Sequence, residues 1–154
     1  MLITLEDIEA QHKRVADMIA EFKLQPRATE IRIPAVTIPL APGERYAGLV
    51  LGEDGAPDYH LILLPGEAEE IEWDNAREWA EERDGTLPNR REQSLLFANL
   101  KGEFESAAYW SDQEHETNSG FAWCQYFLSG YQSYTRKSAA LRARAVRRFI
   151  PSVI

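Results

Sequence analysis

The sequence predicts an α+β fold preceded by an amphipathic helix. Three observations predict it: a heptad-spaced apolar row near the start, two strand-like runs around a turn-rich loop, and two helix-capping signatures followed by an aromatic segment of alternating polarity.

The first element covers residues 4–23. Leu5, Ile8, His12, Val15, Ile19 and Phe22 recur at spacings of 3, 4, 3, 4 and 3, which is a heptad seam. Thr4 with Asp7 caps its start, and Pro26 stops it. Two readings fit: a helix packed on its own domain, or a self-association segment, residues 1–25, that builds a homo-oligomer. In the second reading His12 is a specificity element or a pH-sensitive core position.

Residues 26–44 follow as an extended arm or edge strand. Ile31, Ile33, Val36 and Ile38 favour strand within residues 29–40, while Pro34 and Pro39 confine such a strand to a sheet edge. Residues 46–51 and 59–64 are apolar runs joined by a loop from Gly52 to Asp58, the pattern of a hairpin.

Two helices come next. Asn75 with Glu78 has capping-box spacing, Trp73 precedes it as a staple, and Ala76, Trp79 and Ala80 form the inner face. Gly85 supplies a left-handed stop. Asn89 with Glu92 repeats the capping spacing, Pro88 fixes the approach, and Leu95, Leu96 and Leu100 carry the second apolar face. Phe121, Trp123 and Gln125 alternate as a strand, with a turn at Ser129 and Gly130. The tail, residues 139–150, fits a helix through Leu141, Ala145 and Phe149 and fits a strand through Leu141, Ala143 and Ala145.

The balance of 25 acidic against 17 basic residues, a net charge of −8, argues against binding nucleic acid or anionic membranes. The single cysteine, Cys124, leaves no disulfide framework. An acidic start without a basic, apolar leader predicts cytoplasmic synthesis, and no apolar run nears the roughly 20 residues that span a bilayer. Charge is also segregated. Residues 53–84 hold twelve acids and two arginines, and residues 136–148 hold six basic residues and no acid. Either the two regions pair within the fold, or Glu69, Glu70 and Glu72 mark an acidic face for a basic partner or a nucleic-acid mimic.

Catalytic signatures are weak. Asp112, Glu114, His115, Glu116 and Cys124 have no spacing that sets ligands on one face, so no metal and no cofactor is expected. Ser111 and His115 lack a nucleophile-elbow context, and glycine-rich phosphate loops are absent. The chain does not read as an enzyme.

One series of residues carries a family resemblance: Trp73-Asp74-Asn75-Ala76, Trp79-Ala80, Gly85-Thr86-Leu87-Pro88-Asn89-Arg90 with Glu92, Leu95 and Leu96, then Tyr109-Trp110-Ser111, Ala122-Trp123, Phe127, Gly130 and the closing Ala145 to Phe149. Over about residues 45–150 it resembles the bacterial and phage domain of C-type lectin-like fold found at the C-terminus of collagen-like adhesins. The resemblance implies a lectin-like domain over residues 45–154, a strand for the tail, and two helices packed on short antiparallel sheets. It also implies a phage or prophage binding module whose loops, residues 111–120 and 129–137, take a protein or a surface glycan. Tyr131, Gln132, Tyr134, Asp112 and Trp110 are then the ligand residues, since tyrosines offer rigid amphipathic contacts. The calcium-binding tripeptides of sugar-binding relatives are not matched, because Leu87-Pro88-Asn89 and Trp73-Asp74-Asn75 sit at helix starts, so binding is calcium-independent. An intracellular inhibitor of host defence or nucleic-acid machinery acting through the acidic face, and a structural virion component, are the alternatives. The protein is then virion-associated or acts within the host.

Overall fold

A computed structural model describes residues 2–25 and 30–151, and the chain divides into two units, Met1–Val36 and Thr37–Ile154. The first unit is built on α1 (Leu5–Leu24), whose start is fixed by the capping box read from the sequence. The Thr4 hydroxyl accepts from the Asp7 amide at 3.2 Å, and the Thr4 amide donates to the Asp7 carboxylate at 3.0 Å. No residue of α1 is buried. A lone helix of this length is marginal in water, so a covered apolar row is the normal source of its stability. Pro26 and Thr29 lie outside the described residues. The expected strand is absent from residues 30–40, which form neither helix nor ladder. Pro34 and Pro39 cannot donate to a ladder, and Ile31 and Ile33 are exposed.

In the second unit the hairpin forms from β1 (Arg45–Val50) and β2 (Tyr59–Leu63). The tail resolves as β7 (Leu141–Ala143) and β8 (Val146–Phe149), two strands with a break at Arg144 and Ala145. β8 pairs with β2, giving a three-stranded sheet of order β1-β2-β8. The second sheet has the order β3-β7-β4-β5-β6, with β3 (Ala68–Ile71), β4 (Ala108–Glu114), β5 (Phe121–Tyr126) and β6 (Gln132–Arg136). Its pairings are antiparallel except β4 with β7. The fold class is α+β.

Two helices, α2 (Trp73–Glu81) and α3 (Arg90–Leu100), pack on these sheets. α2 starts two residues before the expected cap: Glu72 is the cap residue and makes no side-chain capping bond, and Asn75 lies within the first turn. Trp73 is therefore a helical residue, buried, with its indole donating to the Ser111 carbonyl at 2.8 Å. The left-handed stop is also displaced. Asp84 takes the positive φ of 56°, whereas Gly85 is required by close approach, since a Cβ there would stand 2.6 Å from Leu64 Cδ1 and 2.8 Å from the Val146 carbonyl. α3 begins as the sequence predicts, with the Asn89–Glu92 box complete.

The core has two clusters. Trp73, Ala76 and Ala80 of α2 meet Trp110, Ala122 and Cys124 of the larger sheet. Leu96 of α3 meets Leu61, Leu63, Tyr109, Phe127 and Val146. Each fully buried Leu or Phe here contributes about 1.5–3 kcal/mol relative to exposure. Trp79 packs partly buried against the first cluster, with the Arg83 guanidinium 4.2 Å above its ring. The second cluster seats α3, and Leu87, just before its start, belongs to the first.

Candidate functional site: a cleft at the start of α3

The cleft forms where the first turn of α3 meets the edge of β4-β5-β6. The Pro88 carbonyl accepts from the Asp112 amide at 2.9 Å, and the Arg90 amide donates to the Gln113 side chain at 2.7 Å. These bonds fix the helix start to β4. The opening has a volume of about 540 Å³ and is lined by Glu53, Asn89, Arg90, Arg91, Ser94, Gln113 and Gln132. All seven are polar. No apolar side chain lines it.

A relay of glutamines builds the floor. The Gln93 side chain, fully buried, donates to the Tyr109 carbonyl at 3.1 Å, and the Gln93 carbonyl accepts from the Gln125 side chain at 2.9 Å. Gln132 then donates to the Gln125 side chain at 2.8 Å and to the Arg90 carbonyl at 2.7 Å. Its remaining oxygen accepts from Arg90 Nε at 3.0 Å. Gln132, an expected ligand residue, thus lines the cleft but spends its polar atoms on holding Arg90.

Arg90 is the side chain this arrangement presents. Its guanidinium carbon lies 3.5 Å from the Trp123 ring centroid, in cation–π contact. Trp123 is in turn braced by His115 at 5.7 Å and Tyr134 at 5.2 Å, and its indole donates to Glu116 at 3.1 Å. Glu116 is also the acid nearest to the terminal nitrogens of Arg90, at 3.9 Å, too far for a hydrogen bond. The Glu116 carboxyl is held below its usual range, first by its own backbone amide and then, against some burial, by the Trp123 indole. Arg90 is therefore clamped at Nε and across its face while its outer fork is open.

One correction concerns the expected ligand residues, at Trp110, and Asp112 has an internal partner. Trp110 is fully buried, with its indole donating to the Ile71 carbonyl at 2.8 Å, so it cannot touch a ligand. Asp112 pairs with Arg77 of α2 at 3.2 Å, and burial pushes its carboxyl upward against that arginine. Tyr131 and Tyr134 are 65% and 49% exposed and are not among the residues that line the cleft; Tyr131 lies against Tyr126 and Tyr134 against Trp123. The supposed recognition loops are shorter than expected, because β4 takes residues up to Glu114 and β6 takes Gln132 to Arg136. Tyr134 is a strand residue.

The acidic and basic regions partly pair. Arg142 binds Glu67 at 2.8 Å and Glu69 at 3.0 Å, so Glu69 has an internal partner. Arg147 binds Glu44 at 2.8 Å and Arg148 binds Glu92 at 2.7 Å. Glu70, Glu72, Asp74, Glu78, Glu81 and Glu82 are exposed and form no ion pair among the described residues. Among the remaining candidate ligands, Glu114 pairs with Lys137, and Cys124 is buried with its thiol pushed up to about 11 by that burial. Such a thiol stays protonated at neutral pH. No three His, Cys, Asp or Glu side chains gather as a metal site among the described residues. Among the described residues no helix is long and apolar enough to cross a membrane. No family model matches the chain, and no curated protein matches it significantly.

Sequence reasoning missed Arg90 as the centre of the site. In the sequence it stands in the Gly85–Arg90 series and directly after the Asn89 cap, with nothing that marks a ligand group.

Proposed function

We propose that this protein is a non-enzymatic, calcium-independent recognition module of C-type lectin-like type, phage or prophage in origin, that binds a ligand bearing an anionic group in the Arg90 cleft. The observation that carries this reading is the open guanidinium fork of Arg90, fixed at Nε by Gln132 and flat on Trp123. A preorganised fork binds a carboxylate or phosphate in two parallel hydrogen bonds without first losing side-chain freedom. Ser94 and Gln113 supply hydroxyl and amide groups beside it, and Tyr134 braces the Trp123 ring beneath it. The lectin-like assignment is supported by the sequence series above and by two helices lying between a hairpin and an antiparallel aromatic sheet. α1 serves as the self-association segment.

A second reading is an inhibitor acting through the outer face of α2, favoured by the exposed, unpaired Glu78, Glu81 and Glu82. One experiment separates them. Tagged full-length protein is presented separately to host envelope and cytosolic extracts, as wild type, as Arg90→Ala, and with Glu78 and Glu81 changed to Lys. An envelope component retained by wild type and lost with Arg90→Ala supports the recognition module. A cytosolic partner indifferent to Arg90 and lost with the charge reversals supports the inhibitor instead.

A further inference from the structure

The apolar row of α1 has an internal symmetry. Leu5, Ile8, Val15, Met18, Ile19 and Phe22 are each between 51% and 72% exposed. Numbering along the seam, Leu5 and Phe22, Ile8 and Ile19, and His12 and Val15 stand at equal distances from the seam midpoint, between Lys13 and Arg14. A two-fold axis across that midpoint therefore sets each seam residue against a different position of a second copy. Leu5 meets Phe22, Ile8 meets Ile19, and the His12 ring meets the methyl groups of Val15. Every layer then combines similar total bulk, as close packing demands.

A parallel pair does worse on the same residues. It sets Phe22 on Phe22, Val15 on Val15 and His12 on His12, so crowded and thin layers alternate and two imidazoles share the centre. Charge points the same way. On the edge beside the seam, antiparallel packing brings Lys23 of one copy alongside the other's Glu9, about 8 Å away along the axis at ~1.5 Å rise per residue. The parallel arrangement leaves Lys23 beside Met18 and Gln25. The remaining flanking residues, Thr4, Gln11, Ala16, Met18 and Gln25, are uncharged and oppose neither copy.

We infer that α1 pairs antiparallel with α1 of a second copy of this chain, a refinement that rests on the self-association reading above. The two chains then leave the helix pair at opposite ends.

Spin-label distance measurements on the full chain test it. Labels are placed singly at Glu6→Cys and at Lys13→Cys, both on the outer edge of α1, while the buried Cys124 stays unlabelled. Antiparallel pairing predicts a short distance between labels at position 13. It predicts a separation of about 22 Å along the axis between labels at position 6, fifteen residues of ~1.5 Å rise. Short distances at both positions would overturn the antiparallel inference and leave self-association standing. Absence of dipolar coupling at both, with a monomer in sedimentation, would overturn both.

Discussion

Arg148 and Arg90 approach the same helix start from two sides and are used in opposite ways. Arg148 gives Nε and Nη2 to Glu92, each at 2.7 Å, and Nη1 to Thr86 at 2.9 Å. Glu92 is fully buried and also accepts from Tyr59 at 2.7 Å and from the Asn89 amide at 2.8 Å. That guanidinium is satisfied, and its work is to bind β8 to α3. Arg90, two residues from Glu92, has its Nε and its face held while its outer nitrogens face the cleft. The contrast teaches that a charged side chain becomes a candidate for recognition when its surroundings fix its position without consuming its hydrogen-bonding capacity.

The comparison breaks most visibly at Glu92. Glu92→Ala strips Arg148 and Tyr59 of their acceptor and should cost about 3–5 kcal/mol in chemical denaturation, the range for removing one partner of a buried ion pair. A cost under ~1 kcal/mol would mean that the pair is solvated and does not anchor β8. Gly85→Ala should cost about 1–3 kcal/mol by overpacking, since it pries Leu64 and Val146 away from the bridge that joins Thr86 to β8.

Acid titration sharpens the same contrast. Burial pushes the Glu92 carboxyl up, but the Arg148 hydrogen bonds, the Asn89 amide and Tyr59 outweigh it and hold the carboxyl below the usual range. The unfolded chain therefore takes up this proton first. The resulting stability is present above the unfolded value near ~4.3 and is lost as pH falls through the depressed folded value. Thermal melts from neutral pH down to strong acid should show this loss in wild type and a shallower acid dependence in Glu92→Gln. Identical acid slopes would remove Glu92 as the source.

The smallest stability change belongs to the open side. Glu78→Lys should stay within about 0.5 kcal/mol of wild type, as exposed positions do, and Arg90→Lys, which gives up the Nε bond to Gln132 and the stack on Trp123, should cost about 1 kcal/mol. Their effects on binding should differ, because only Arg90→Lys removes the planar fork.

Much of the scaffold was legible in the sequence. The start of α3 was, because both members of the Asn89–Glu92 box lie within one turn. The hairpin was too, because its turn residues stand between two apolar runs. Gly85 was misread because its need for a missing Cβ comes from Leu64 and Val146, which local spacing cannot reveal. β4 was read in part as loop because Ser111-Asp112-Gln113-Glu114 is polar, yet Ser111 is buried and donates to the Trp123 carbonyl at 2.7 Å. The site was least legible of all. Arg90, Trp123 and Gln132 come from three elements, and nothing in the chain order brings them together.

The most direct test of the central claim is a titration of the full-length protein with acetate, followed by nitrogen–proton correlation spectra of the Arg90 Nε group and the Gln113 and Gln132 side-chain amides. An open anion-binding fork predicts saturating shifts confined to these groups in wild type and no response of the two glutamines in Arg90→Lys. Glutamine shifts that are equal in both proteins, or Arg90 shifts that grow without saturating, would contradict it.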